Sequence, residues 1–346
     1  MLERYEFRIP EKLAVRYLSG VQGVTLGDSE TDFKIRKIVV KKDSKSYSHV
    51  EKAARALYPE PLFYGWRIIR QYTPEEIENA RLFTLEINRA MVPTGRECGA
   101  KYDDAEACPC CGGGSKLASE LVLDLRNAPS RADFASTLAG EWIISQRLTE
   151  ILIREKVTGF EAHSVMHIAK VEHDTIDFSR VPAGRELLAH ANSLGLNDWQ
   201  IGVWGNSSEM RELTRKAVEQ YRKLLNKKSI NWRSPPAWYH LRVRSKRLKI
   251  EDHTTFGKRP FDLDEKGDFR CIQAGKAEHS VGLNRLSELN VLFDSWDGSD
   301  FSCTSQLVGW RIGISVPRPI IVISQRLRRI LDFHAIKGCE FEVARL

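Results

Sequence analysis

The chain repeats itself. Ile144–Glu161 reads ISQRLTEILIREKVTGFE and Ile323–Glu340 reads ISQRLRRILDFHAIKGCE, a gapless match at an offset of 179 in which the first five residues are identical. Self-similarity at a fixed offset outranks other cues, because it says that one structural unit is used twice. The match continues upstream in the same order. Ser119–Leu121 pairs with Ser287–Leu289, Asp133–Thr137 (DFAST) with Asp300–Thr304 (DFSCT), and Cys108–Gly112 (CPCCG) with Cys271–Gly275 (CIQAG). Tyr102-Asp103 pairs with Phe261-Asp262, and Cys98-Gly99 with Phe256-Gly257. The expected organisation is an N-terminal half with a Cys knuckle, 1–170, and a degenerate C-terminal half, 171–346, joined near Val171–Leu187.

Within each copy the patterning alternates between strand and helix. LFTLEI (Leu82–Ile87) and WYHLRV (Trp238–Val243) have strand character, as do ELVLDL, ELNVLF, WIIS and IVIS. Ser145 and Ser324 stand where N-caps belong, ahead of helices with Leu148, Ile151 and Leu152, or Leu327, Ile330 and Leu331, on one face. Gly159 and Gly338 are placed to stop those helices. A closing strand follows each, FEAHSV and EFEVAR. Two further helices are expected, over Val50–Tyr58 and Ser207–Lys228. Helices and strands mix without a βαβ rhythm, so the expected class is α+β: two divergent copies of one mixed unit, the first with a Cys-rich knuckle.

Four of the seven cysteines fall between Cys98 and Cys111. A disulfide framework would spread them evenly, so the cluster reads as metal binding. Cys108-Pro-Cys110-Cys111-Gly112 is knuckle chemistry: a CxxC spacing lets two thiolates meet one tetrahedral ion, and the glycine relieves the turn. The candidate ligands are Cys98, Cys108 and Cys111, holding a structural zinc. The counterparts in the second copy are Phe256, Cys271 and Ala274. With two thiols lost there, any site is expected to belong to the first copy. A closed zinc site needs a fourth ligand, and a remote histidine or carboxylate would have to supply it. A decayed site with reduced thiols is the other reading.

Other signals are thinner. Of His163, His167 and His173, the repeat places His163 at the end of a strand, where residues i and i+4 are roughly 13 Å apart, so a metal role for them is not expected. No HExxH, complete P-loop or nucleophile elbow occurs, and no Ser/His/Asp set stands out, so no catalytic residues are assigned and an enzyme is not expected. Trp142, Trp296 and Trp310 read as core or interface anchors. Net charge is +7 and the pI is near 9, which allows an acidic partner or nucleic acid. The basic runs Lys34–Lys42, Arg242–Lys249 and Ser324–Arg329 read as solvated faces. No run of 18 apolar residues and no secretion-type N-terminus is present, so a cytoplasmic protein without a membrane span is expected.

The Cys-x-x-Cys-Gly turn, the apolar strand, the VS-x-RL-like helix and the TG-x-E/F-x-x-V ending together resemble the double-CxxCG-motif immunity proteins of bacterial polymorphic toxin systems. The residues that carry the resemblance are Cys108, Cys111 and Gly112, then Ile144–Leu148, then Thr158, Gly159 and Phe160. It covers about Cys98 to Val165, with a fainter echo in Phe256–Val343. The first CxxCG pair is reduced here to Cys98-Gly99. The resemblance implies a non-enzymatic protein that binds and neutralises a cognate toxin. The alternative is a zinc-knuckle nucleic-acid-binding protein.

Overall fold

The computed structural model describes residues 1–21, 25–26, 35–57, 62–63, 65–168, 237–257, 260–261, 270–271, 279–309 and 316–346. The expected helix over Ser207–Lys228, the junction Val171–Leu187, His173, Ala274 and Trp310 lie outside these residues. Both helices and sheets are present, as an α+β chain requires. The described residues form two compact units: 1–75 with Pro260 and Phe261, and the remainder from 76 onward.

The first unit is an antiparallel sheet in the order Thr25–Leu26, Ile35–Lys41, Leu2–Pro10, Gly65–Gln71. The amphipathic helices Glu11–Leu18 and Lys45–Leu57 bury Leu13, Ala14, Leu18, Val50 and Ala54, which share one core with Phe7, Ile9, Ile38 and Val40. The second helix starts five residues before the expected Val50, with the Ser44 hydroxyl accepting the Tyr47 N–H at its head.

The second unit holds two five-stranded sheets. One runs Phe160–Ser164, Trp238–Val243, Trp142–Ser145, Phe134–Thr137, Ala90–Met91. The other runs Leu289–Asn290, Cys339–Arg345, Leu82–Ile87, Arg318–Ser324, Phe301–Val308. The strand Leu82–Ile87, early in the chain, therefore completes the sheet built from the C-terminal strands. Trp238–Val243, late in the chain, completes the other. Registers agree residue for residue: Ser145 faces Trp238 and Ser324 faces Leu82, Phe160 faces Val243 and Cys339 faces Ile87, Phe134 faces Ile144 and Phe301 faces Ile323.

The helices Gln146–Arg154 and Gln325–Phe333 start where expected. The Ser145 and Ser324 hydroxyls accept the N–H groups of Leu148 and Leu327. Leu148, Ile151 and Leu152 are buried, as are Leu327 and Leu331. The segments ELVLDL and ELNVLF are strands for only two residues each, Val122–Leu123 and Leu289–Asn290. Each then tightens into a 3-10 turn, Leu125–Asn127 or Phe293–Ser295.

Gly159 and Gly338 do not stop the helices. Lys156 and Ala335 do so, at φ of 51° and 50°, each followed by a backbone bond reaching five residues back: Val157 N–H to Leu152 O and Ile336 N–H to Leu331 O. The glycines serve a close approach instead. A Cβ on Gly159 would lie 2.2 Å from Phe301 O, and one on Gly338 would lie 2.4 Å from Phe134 O.

Around these contacts two buried aspartates form matching clasps. Asp133 accepts the Ser145 hydroxyl at 2.9 Å, Arg147 Nη1 at 2.9 Å and the backbone N–H of Lys337 at 3.1 Å. Asp300 accepts the Ser324 hydroxyl at 2.7 Å, Arg326 Nη1, and the backbone N–H of Thr158 at 3.0 Å. Each aspartate ties its own strand and helix to the loop that ends the other helix.

Two outcomes follow from this packing. Gly159→Ala and Gly338→Ala each combine a left-handed backbone with a clash against a main-chain oxygen, so each should cost at least about 2 kcal/mol in urea unfolding. His240, half-buried beside Arg242 and His163, has its pKa pushed down to about 4, by desolvation first and then by Arg242. Its Nδ1 accepts from Arg242 Nε at 3.2 Å, which requires the neutral ring. The unfolded chain binds a proton near pH 6.5 that the folded chain refuses, so this stability is full above that pH and is lost as pH falls toward 4. The loss attributable to His240 is roughly 3 kcal/mol. Buried Glu141, whose pKa burial raises, titrates with the opposite sign. The difference in pH slope between wild type and His240→Gln isolates the histidine.

Candidate metal centre

Each sheet carries a ribbon whose excursion ends in sulfur. Tyr102–Asp103 pairs antiparallel with Lys116–Leu117, and Cys108 and Cys111 lie in the loop between them. Phe256–Gly257 pairs with Asn284–Arg285, and Cys271 and His279 lie in that loop. The four ligand atoms are all within 4.8 Å of one another. Cys108 Sγ is 3.7 Å from Cys271 Sγ, and His279 Nδ1 is 3.1 Å from Cys271 Sγ and 3.9 Å from Cys111 Sγ. In a tetrahedral site with metal–sulfur bonds near 2.3 Å, sulfurs sit about 3.8 Å apart and sulfur and nitrogen about 3.6 Å apart. The cluster fits those separations. All cysteines are free thiols, and 3.7 Å is far from a disulfide bond.

The backbone builds both ligand pairs alike. Cys108 N–H donates to Gly113 O at 2.7 Å, just past Cys111. Cys271 N–H donates to Ser280 O at 2.9 Å, just past His279. Gly112, at φ 76°, closes the first turn by donating to Cys108 O. Outside it, Asp104 accepts both Arg96 terminal nitrogens and the Ser115 hydroxyl. The second loop is moored to Phe301–Val308 through the Ser280 hydroxyl on Gly309 O and the Val281 N–H on Leu307 O.

The electrostatics favour a thiolate. Burial would raise the Cys108 pKa, but the backbone N–H groups of Cys111 and Cys110 point at its sulfur, and with the Cys271 thiol they bring it below the ordinary value. Cys110 goes the other way: burial and the neighbouring Cys108 raise its pKa. Cys110 is partly exposed and outside the ligand group.

Two sequence expectations change here. Cys108 and Cys111 belong to the cluster, but Cys98 does not. Burial pushes the Cys98 thiol up to about 12, against the lowering effect of the Asp124 N–H bonded to it, and the carboxylates of Asp124, Glu97 and Glu141 face it. A buried thiol among carboxylates is a poor thiolate. The C-terminal stretch, expected to contribute nothing, supplies Cys271 and His279. The alignment of Cys271 with Cys108 was visible, but the partner was sought three residues on, at Ala274. The second loop is longer, and its other ligand comes eight residues after Cys271. Of the remaining histidines, His163 pairs with Glu161, and His167 accepts the Leu125 N–H at 3.3 Å.

No helix among the described residues is long and apolar enough to cross a membrane. No known protein family, curated protein or solved structure matches the chain.

Protein purified without chelator should carry one equivalent of zinc by elemental analysis. Cys108→Ser, Cys111→Ser, Cys271→Ser and His279→Ala should each fall well below half an equivalent. Cys98→Ser and Cys110→Ser should keep the full amount.

Proposed function

We propose that this chain is a non-catalytic protein that binds and neutralises a toxin, of the double-CxxCG immunity type. On this reading its scaffold arose by duplication of one unit and is stapled by structural zinc. The observation that carries the proposal is the ligand count. Cys108, Cys111, Cys271 and His279 fill a tetrahedron with protein atoms, whereas catalytic zinc keeps a position open for water or substrate. Three sulfurs and an imidazole select zinc over the hard cations, which prefer oxygen. Duplication is supported by the shared strand order and register of the two sheets and by the matching Asp133 and Asp300 clasps. The immunity assignment draws on the resemblance carried by Cys108, Cys111, Gly112 and the Ile144–Leu148 helix start.

Part of the charge in the basic runs is already matched, which weakens the nucleic-acid alternative. Arg36 pairs with Glu11, Lys42 with Glu3, Arg244 with Glu161, Arg326 with Asp300, Arg328 with Asp332 and Arg329 with Glu78. Cations already matched by carboxylates release few counterions on meeting a phosphate backbone.

Co-expression with a toxin encoded beside this gene is the direct experiment. Cells should survive only when the chain is present, and the purified pair should stay bound at physiological salt. Death regardless of the chain, with tight and selective binding of one oligonucleotide sequence, would establish the nucleic-acid reading instead.

A further inference from the structure

Arg81 is held in an unusual way. Its guanidinium carbon lies 5.0 Å from the centre of the Phe293 ring and 5.1 Å from that of Trp296. Among the described residues no carboxylate pairs with it, although the cations around it are matched. Arg326 is on Asp300 and Arg329 on Glu78. Trp296 is fixed in turn, its indole N–H donating to Ser299 O at 3.0 Å. Arg81 and Trp296 line a pocket of about 360 Å³ at the head of the Gln325–Phe333 helix.

The scaffold does not need this arrangement. Residues in the same places in the other sheet are Ala237, Leu125 and Ala128, and the last two are buried. Where those apolar groups face inward, Phe293 is 54% exposed and the adjoining Leu292 is 43% exposed. A large aromatic ring and an arginine are thus left in solvent at a point where the same fold can bury the position.

We propose that Arg81, clamped between Phe293 and Trp296, is the receptor for a carboxylate side chain on an acidic partner protein, with Leu292 and Phe293 taking an adjacent apolar residue. The inference rests on reading the chain as a protein-binding protein. Stacking orients the planar fork in advance, so little freedom is lost when it takes both carboxylate oxygens. Arginine and tryptophan are also the residues that concentrate binding energy at protein interfaces. Asp294 and Asp297 flank the rings on the same exposed turn. Their repulsion falls once on a single carboxylate but repeatedly on a phosphate chain charged at every residue, which favours a protein over a nucleic acid.

The test is a titration of the full chain, read at the Trp296 indole N–H by NMR and assigned with Trp296→Phe. The probe is the blocked peptide acetyl-Leu-Glu-Phe-amide, compared with its Gln counterpart. The Glu peptide should bind saturably with a Kd of about 1 mM, and the Gln peptide at least about tenfold more weakly. Arg81→Gln, at an exposed position, should fold with an unchanged spectrum elsewhere and lose the Glu preference. Arg81→Lys should keep only part of it. Equal affinity in Arg81→Gln, or no shift at about 10 mM peptide, overturns the proposal. So does displacement of the peptide by oligothymidylate at physiological salt.

The toxin survival assay separates this inference from the broader reading. Protection by both wild type and Arg81→Gln, with equal toxin affinity, sinks the Arg81 site alone. Absence of protection by wild type sinks the immunity reading, and the peptide titration still decides the site.

Discussion

The second unit depends on an exchange of strands. Leu82–Ile87 sits between Cys339–Arg345 and Arg318–Ser324, and Trp238–Val243 sits between Phe160–Ser164 and Trp142–Ser145. Both are interior strands, paired on each side, so removing either would split a sheet and open two edges. The pairings also span long separations in sequence, from Leu82 to Ala344 at the extreme, and such contacts form late and slowly in folding.

The clasps and the sulfur cluster solve the problem that the exchange creates. Interleaved segments must be held in register at points where the sheets themselves do not bond. At Asp133 and Asp300, one buried carboxylate gathers a hydroxyl, a guanidinium and a backbone N–H from distant parts of the chain. A buried carboxylate is tolerable only when so fully matched. Where the two ribbons that end in Cys108–Cys111 and Cys271–His279 meet, the buried cluster is made of Cys108, Cys111 and Cys271 themselves. A shared ion would tie them together where hydrophobic burial supplies little. The unequal loop lengths matter less than the outcome, since each loop is closed by the N–H of its first ligand and a carbonyl just beyond its second.

Much of this was legible in the sequence because it rests on local chemistry. Ser145 and Ser324 announce their helices, and the closing strands follow from alternation. The matched ISQRL blocks anticipate the shared register. The exchange of Leu82–Ile87 and Trp238–Val243 was not legible, because a strand's alternation says which face is buried and nothing about its neighbour. Gly159 and Gly338 were read as helix stops since glycine after a helix commonly is one, whereas here they make room for Phe301 O and Phe134 O across the unit. The metal cluster was half legible. Cys108 and Cys111 follow from spacing alone, but Cys98 owed its place to proximity in sequence. His279 carries no spacing signal that could connect it to a thiol 168 positions earlier.

The two sheets of matching strand order and register also separate what the fold needs from what it can spare. Positions that agree between the sheets, such as the two capping serines, the two clasping aspartates and the two close-approach glycines, are accounted for by packing. Positions that differ are free of that demand, and their chemistry asks for another cause. The difference between Leu125 with Ala128 and Phe293 with Trp296 is of this kind. One pair is buried, whereas Phe293 is exposed and Trp296 only partly buried against the core that holds Leu82 and Val322, and both rings lie against Arg81. Leaving Phe293 exposed forgoes hydrophobic stabilisation of about 1.5–3 kcal/mol that burying such a ring otherwise gains. Folding alone gives no return on that loss, whereas a partner that covers the rings on binding recovers it.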